Sequence, residues 1–455
     1  MNLPFRRAFF VGIKGSGMAP LALLLQRGGW VVEGCDVPEV FTTDTMLSEA
    51  GIVVHPGFDQ AHLTGSWDVV IYSSAYSLKT PILQRAITQK IDVYSYPDFI
   101  AYLSTLSPTY AVIGTHGKTT TMAVTDYLLR PDESYWAIYG SQLINEEIQK
   151  SDEYHFGIVE GCEYQDHFLL YHIQGSVLLS VEWDHPDYFP SLEAVYDSFK
   201  QFVLRIKEGG FFLYNNDQAG SRLIGEWAKR QRKGVRIRSF GFDGESDYPI
   251  VNEGKNFYRV GNQRVEVVVS TPELVLDHIG SLLFAANLTK KEIGSPSFTQ
   301  VGARLATFGG VRGRLEFMGE EGGVRYYDDY AHHPSEIEVS LAELRSRYPD
   351  SKILVIFVPH TASRTHSLLK EFATALSKAD YLILQPTFAS ARGDDEDDPL
   401  ALYSALQPPL DCTYAEDDEA VFKSASARLK EGWLCITMGA GNNRGLHTRF
   451  LRSKR

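Results

Sequence analysis

The stretch Gly114-Thr-His-Gly-Lys-Thr-Thr-Thr121 constrains this chain more than any other. It follows a short apolar run, Tyr110-Ala-Val-Ile113, and precedes a helix-compatible run from Met122 to Leu129. Strand, glycine turn and helix in that order present backbone N–H groups and a helix N-terminus to a phosphate chain. Lys118 can then reach the terminal phosphates, and the hydroxyl of Thr119 or Thr120 can ligate Mg²⁺. Val112 stands where the long form of this loop carries a glycine, so the match is to a shorter form, Gly-x-x-Gly-Lys-Thr-Thr. A tight turn with a surface lysine is the plainer alternative, and landmarks in this context outweigh it.

A chain of 455 residues has room for about three domains around such a loop. The net charge of −13 argues against nucleic acid as a partner, while leaving local loops free to bind anions. Cys35, Cys162, Cys412 and Cys435 fit no zinc spacing and suit a reducing cytoplasm. The apolar run after Arg6 and Arg7 stops at Lys14. It is too short for a membrane span and lacks a cleavage pattern, so it reads as a first strand. We therefore expect a cytoplasmic protein without a membrane span; the sequence leaves its oligomeric state open.

Residues 1–107 alternate strand-like and helix-like runs, as a parallel doubly wound sheet does. Phe9-Phe-Val-Gly12 leads into the turn Gly12-Ile-Lys-Gly-Ser-Gly17; a second strand ends at Asp36, and a later one runs into Ser73-Ser74. The glycines can carry a diphosphate at the first helix, with Asp36 at the ribose position. Their order departs from the dinucleotide fingerprint, and many strand-helix turns need glycine for backbone reasons alone. Ser107-Pro108 marks a boundary.

The second segment, to about residue 308, adds strands ending at Glu160 and just before Glu182-Trp-Asp-His-Pro-Asp187. Acids and a histidine at such strand ends face the ligand crevice. Glu160 suits Mg²⁺ better than His185 does, and a turn histidine held by Asp184 or Asp187 is the even alternative for His185. Asp243 to Asp247 and Asp394 to Asp398 read as solvated loops. Gly309-Gly-Val-Arg-Gly-Arg314 opens the third segment, 309–455, which repeats the strand-helix rhythm. Asp328-Asp329, the pair His332-His333, and His360 with Arg364 all fall just past strand ends there.

Taken in order, these motifs resemble the Mur ligase family of peptidoglycan synthesis over almost the whole chain. Gly12-Ile-x-Gly-x-Gly-Met18, the 114–121 loop, Val159-Glu-x-x-Glu163 and Glu182-x-Asp-His185 carry the resemblance. So do Asp328-Asp-Tyr-Ala-His-His-Pro334, Pro359-His-x-x-Ser-Arg-Thr365 and Met438-Gly-Ala-Gly441. The resemblance implies an α/β chain of three domains: an N-terminal Rossmann-like domain (1–107) for the UDP-sugar, a central P-loop ATPase-like parallel sheet (108–308), and a C-terminal Rossmann-like domain (309–455) for the amino acid. It implies a ligase that spends ATP, with Mg²⁺, to join an amino acid to UDP-N-acetylmuramate through an acyl phosphate. The motif around Arg364 points to the branch that adds L-alanine over the branch that reattaches a preformed peptide.

By the same resemblance Gly114, Thr115, His116, Gly117, Lys118, Thr119, Thr120 and Asp329 would bind the nucleotide. Thr119, Glu160 and His185 would hold Mg²⁺, and Lys118, His185, His333 and Arg364 would serve the reaction. Gly15, Ser16, Gly17, Asp36, Ser74, His332, His360 and Arg364 would meet the substrates. The chain also departs from the pattern. Gly161-Cys162 replaces an Ala-Asp pair, His278 stands without the family's two asparagines, Gly313 replaces one of two arginines, and Thr361 replaces another. Two other readings compete: an NAD-dependent oxidoreductase built on the N-terminal glycines, and a diverged relative that binds nucleotide or UDP-sugar without reacting. The first leaves the 114–121 loop without a use.

Overall fold

The computed structural model describes residues 4–144, 154–293, 295–388, 400–406, 410–439, 441 and 443–451. The acidic run Asp394 to Asp398 therefore lies outside the described residues. The chain forms two compact units: residues 1–183, 191–268 and 276–308 make the first, and residues 184–190, 269–275 and 309–455 the second.

The first unit contains two sheets. One is built from β1 (Arg7–Val11), β2 (Val31–Asp36), β3 (Val53–Pro56), β4 (Val69–Tyr72) and β5 (Asp92–Ser95). Its order is β3-β2-β1-β4-β5, with every pair parallel. Strands covered on both faces read as unbroken apolar runs, and the last four residues of β1 are all buried. Strand order reverses about β1, so the turns after β1 and β4 open onto one crevice. Cys35 packs there beside Phe9, Val11 and Val70 as an ordinary buried thiol.

The second sheet is built from β6 (Thr109–Ile113), β7 (Tyr135–Ile138), β8 (Phe156–Gly161), β9 (Ile173–Leu178), β10 (Phe211–Asn215), β11 (Arg236–Gly241), β12 (Tyr248–Gly254), β13 (Phe257–Val260) and β14 (Gln263–Glu266). Its order is β14-β13-β12-β11-β10-β9-β6-β8-β7. From β7 to β12 the pairs are parallel, whereas β12, β13 and β14 pair antiparallel. The purely parallel central sheet expected from the sequence thus gains an antiparallel arm. The turn between β12 and β13 is Lys255-Asn256, both at positive φ, 49° and 66°, as a two-residue hairpin turn requires. The helix after the phosphate loop spans Lys118–Leu129 and so starts earlier than the apolar run suggested.

The second unit carries β15 (Glu316–Glu321), β16 (Val324–Asp329), β17 (Lys352–Val358), β18 (Tyr381–Leu384), β19 (Cys412–Tyr414) and β20 (Trp433–Gly439). The order is β15-β16-β20-β17-β18-β19, parallel except for the antiparallel edge strand β15. Leu354, Ile356, Ile383 and Cys435 form its core with Val421 of a covering helix. Among the described residues no helix is long and apolar enough to cross a membrane.

Candidate active site

In the first unit the phosphate loop joins β6 to the helix Lys118–Leu129. Gly117 caps that helix at φ 81°, a left-handed conformation that favours glycine. A side chain there would also meet the Asp277 carboxylate at 2.6 Å. The segment after β9 braces the loop: Thr115 N donates to Ser180 O (2.9 Å), His116 N to Ser180 Oγ (2.9 Å), and Glu182 N to Thr115 Oγ1 (2.8 Å). The His116 ring stands 3.4 Å from Glu182.

Lys118 is not the surface lysine of the plainer reading. Its Nζ donates to Gly114 O (2.5 Å), Thr115 O (3.2 Å) and Glu163 Oε2 (2.8 Å). Burial penalises its charge, but the buried Glu163 carboxylate more than offsets this and raises the ammonium pKa. Thr119 Oγ1 lies 3.0 and 3.1 Å from the two Glu160 oxygens, and Gly140 N donates to Glu160 Oε2 at 3.0 Å. Thr119, and not Thr120, is thus the hydroxyl that meets Glu160. Two hard oxygen donors beside a phosphate loop form a donor set of the kind Mg²⁺ prefers. Behind them, Asp126 of the same helix accepts from the hydroxyls of Tyr135 (2.5 Å) and Tyr139 (2.8 Å) and pairs with Arg130 (2.6 Å). This ties the helix to the residue before Gly140.

The glycine turn after β1 is held from within. Asp36 Oδ2 accepts from Lys14 N (2.6 Å), Oδ1 from Val37 N (2.8 Å), and the Tyr76 hydroxyl lies 3.4 Å away. Asp36 is 4 % exposed, so it shapes the turn, whatever else it touches. Ser73 N donates to Val11 O at 2.9 Å, placing Ser73-Ser74 beside that turn. Gly15, Ser16 and Gly17 lead directly into the helix Met18–Arg27.

In the second unit Arg364, 3 % exposed, clasps Asp184 through Nε–Oδ1 at 2.9 Å and Nη2–Oδ2 at 3.2 Å. Its Nη1 also lies 3.0 Å from His360 Nδ1. Burial alone would raise the Asp184 pKa; His185, Arg364 and His333 instead hold it well below the usual carboxylate range. His185 adopts φ 55°, and its N–H donates to Asp184 Oδ1 at 2.7 Å, so this turn histidine is held by Asp184. The His332 ring meets that of His360 edge-on at 5.2 Å, and its Nδ1 is 2.9 Å from Tyr330 O. Burial drives the His332 pKa down to about 4, which keeps the ring neutral. His333 caps the helix Pro334–Arg347, accepting from Ser335 N at 3.3 Å. Asp329 accepts from Ser340 Oγ (2.5 Å) and Ala331 N (3.1 Å), and burial pushes its pKa up to about 6.

Sequence reasoning assigned no roles to Glu163, Asp126 or Gly140, and it named Asp184 only as a holder of His185, not as the partner of Arg364. Glu163 was within reach, being the second acid of the Glu-x-x-Glu motif. Gly140 had no signal, because its contribution is a backbone N–H.

A glycine turn that opens a helix on a buried lysine, a hydroxyl–carboxylate pair beside it and parallel strands feeding both are the marks of a nucleotide-binding α/β enzyme. Family models agree along the chain: the Mur ligase family catalytic domain matches residues 8–107, the Mur ligase middle domain 112–275, and the Mur ligase glutamate ligase domain 313–441. UDP-N-acetylmuramate–L-alanine ligase of Treponema pallidum (strain Nichols) is 35% identical over 453 residues, 95% of this chain and 93% of that one. The enzyme of the same name from Borreliella burgdorferi is 35% identical over 463 residues, 96% of this chain and 97% of that one. The solved UDP-N-acetylmuramate-alanine ligase of Thermotoga maritima shares the fold, with TM-score 0.78, 20% identity and 98% of each chain covered. This chain belongs to the Mur ligase family.

Proposed function

We propose that the protein is an ATP-dependent ligase that joins L-alanine to the muramoyl carboxylate of UDP-N-acetylmuramate, in the cytoplasm. The observation that carries the ligase reading is the convergence of Lys118, Thr119 and Glu160 at one phosphate loop. The choice of L-alanine is supported by the names of relatives that match nearly end to end. In this reading residues 1–107 bind the UDP-sugar, 108–308 the ATP, and 309–455 the amino acid.

The reaction has two displacements. A carboxylate oxygen of the sugar attacks the terminal phosphorus of ATP, and ADP leaves with the bonding electrons. The amine of the amino acid then attacks the acyl carbon, phosphate leaves, and the ammonium proton passes to solvent or a nearby base. Neither step needs a covalent protein nucleophile; both need positioning and charge neutralisation. Lys118 supplies a fixed positive charge to the transferred phosphoryl group, and the N–H groups of the 114–117 turn cradle the chain behind it. Thr119 and Glu160 would hold Mg²⁺, which when bound draws charge from the phosphate oxygens. His185 is proposed from its motif as a further ligand, with Asp184 fixing its backbone turn. His332, His333 and His360 serve the amino-acid side, with Arg364 bracing them from its pair with Asp184 and its contact with His360.

Phosphate release should be measured with ATP, Mg²⁺, UDP-N-acetylmuramate and a panel of amines. Turnover that needs L-alanine is the expected result. Turnover only with a preformed peptide would move the protein to the recycling branch, and none with any amine would support a non-catalytic binder.

A further inference from the structure

Tyr96 sits where the two anion-binding elements of the first unit meet. It is the first residue of the helix Tyr96–Leu106, fixed by the Ser95 cap and by Pro97 in the first turn. It follows β5 directly, at the same strand end as the turns after β1 and β4. Its ring lies against the glycine turn: a Cβ on Gly17 would come within 2.7 Å of Tyr96 Cζ and 2.8 Å of its oxygen. Gly17 is therefore glycine because Tyr96 occupies the space of a side chain. The turn in turn adjoins the cation pair. A Cβ on Gly140 would lie 3.9 Å from Ser16 Cβ, 3.8 Å from Thr119 Oγ1 and 3.7 Å from Glu160 Oε2.

The Tyr96 hydroxyl makes no hydrogen bond to any described residue, although the side chain is only partly exposed. Burial, with Glu160 and Cys162 nearby, raises its pKa, so the group is a proton donor at neutral pH. A molecule lying along the glycine turn toward Thr119 and Glu160 would pass this hydroxyl and could offer it an oxygen.

We propose that Tyr96 is a positioning residue, donating a hydrogen bond to an oxygen of the muramoyl part of the sugar nucleotide and so aligning its carboxylate with the Thr119–Glu160 pair. This rests on the ligase reading above. The test is Tyr96→Phe, which keeps the ring against Gly17 and removes only the hydroxyl; an unchanged melting temperature certifies the fold. Calorimetric titration of wild type and variant with UDP-N-acetylmuramate and with UDP alone gives one readout, and steady-state kinetics the other. The expected result is a Kd and KM for UDP-N-acetylmuramate raised about five- to tenfold, with UDP affinity and the KM for ATP unchanged. Unchanged UDP-N-acetylmuramate binding overturns the proposal, and so does an equal loss for UDP, which would place the hydroxyl on the nucleotide. Wild-type protein that binds UDP-N-acetylmuramate without turning it over strikes the ligase reading and leaves the binding comparison able to judge Tyr96.

Discussion

Arg364 and Asp184, 180 residues apart in sequence, form a two-point ion pair in which both side chains are more than nine-tenths buried. The arginine expected to grip a substrate carboxylate already grips one of the protein's own. Breaking a buried pair on one side leaves an uncompensated charge, at a cost of about 3–5 kcal/mol. Arg364→Ala should therefore lose about that much stability in urea unfolding. Arg364→Met combined with Asp184→Asn should lose much less than the two single changes added together. Additive losses would show that the pair contributes no coupling.

Lys118 supports a second prediction, and its burial sets the terms. A lysine in a polar turn should be removable without harm to the fold, but this lysine is 13 % exposed and holds Glu163, which is 3 % exposed. Lys118→Ala should abolish turnover, by about 10²-fold or more, and should also destabilise the protein. Adding Glu163→Gln should restore much of the stability and none of the activity. A double variant that regains turnover would remove Lys118 from the phosphoryl-transfer step.

β1, β2, β6 and β8 were legible because each is a short, largely apolar run ending at a glycine or an acid, a pattern that follows from burial on both faces. By contrast β5 and β11, with charged residues in or at the start of the run, were not read as strands. The antiparallel arm was harder to read, since Phe257-Tyr-Arg-Val260 and Gln263-Arg-Val-Glu266 mix charge with apolar residues on a hairpin buried along one face only. Glu160 was read from its place at a strand end and Thr119 from the family resemblance, the loop alone leaving Thr119 or Thr120 open, and the structure brings Thr119 and Glu160 together. What spacing could not give is which charges are already spent inside the protein. Asp36 is spent on the backbone of its own turn and Arg364 on Asp184. Such pairings are decided by three-dimensional proximity across long stretches of chain.

Stability should fall on mild acidification, and His447 identifies one source. It is 1 % exposed, its Nε2 lies 2.7 Å from Thr437 Oγ1, and burial with Arg444 nearby lowers its pKa from 6.5 to about 4. Between those values the unfolded chain takes up a proton that the folded protein refuses. The contribution is thus complete above pH 6.5 and is lost as pH falls toward 4, by about 3 kcal/mol at ~1.4 kcal/mol per pH unit. His332 acts in the same direction. Asp329, raised to about 6, acts oppositely, since its folded form binds the proton first as pH falls. His447→Gln can keep a hydrogen bond to Thr437 without titrating. Urea midpoints at pH 7.5 and 5 should differ less for this variant than for wild type, and equal differences would clear His447.

Thr361 stands where the family pattern has arginine, and the structure gives it another task. It is the N-cap of the helix Ala362–Ser367: its Oγ1 accepts from Arg364 N at 3.3 Å, and its carbonyl accepts from Thr365 N at 3.1 Å. Replacing a threonine cap costs about 1 kcal/mol, so Thr361→Arg should lower the melting temperature, while Thr361→Ser should not. The new guanidinium would also offer a planar fork to a carboxylate, the service that Arg364 is not free to give. A charge-assisted bond contributes roughly 1.5–3 kcal/mol against ~1 for a neutral one, which corresponds to about a tenfold lower KM for the amino acid. We expect Thr361→Arg to melt earlier and to bind L-alanine more tightly, measured as KM across the amino-acid panel. A variant that melts earlier with every KM unchanged would confine position 361 to capping. The amino-acid carboxylate would then have to be held by other donors in this chain.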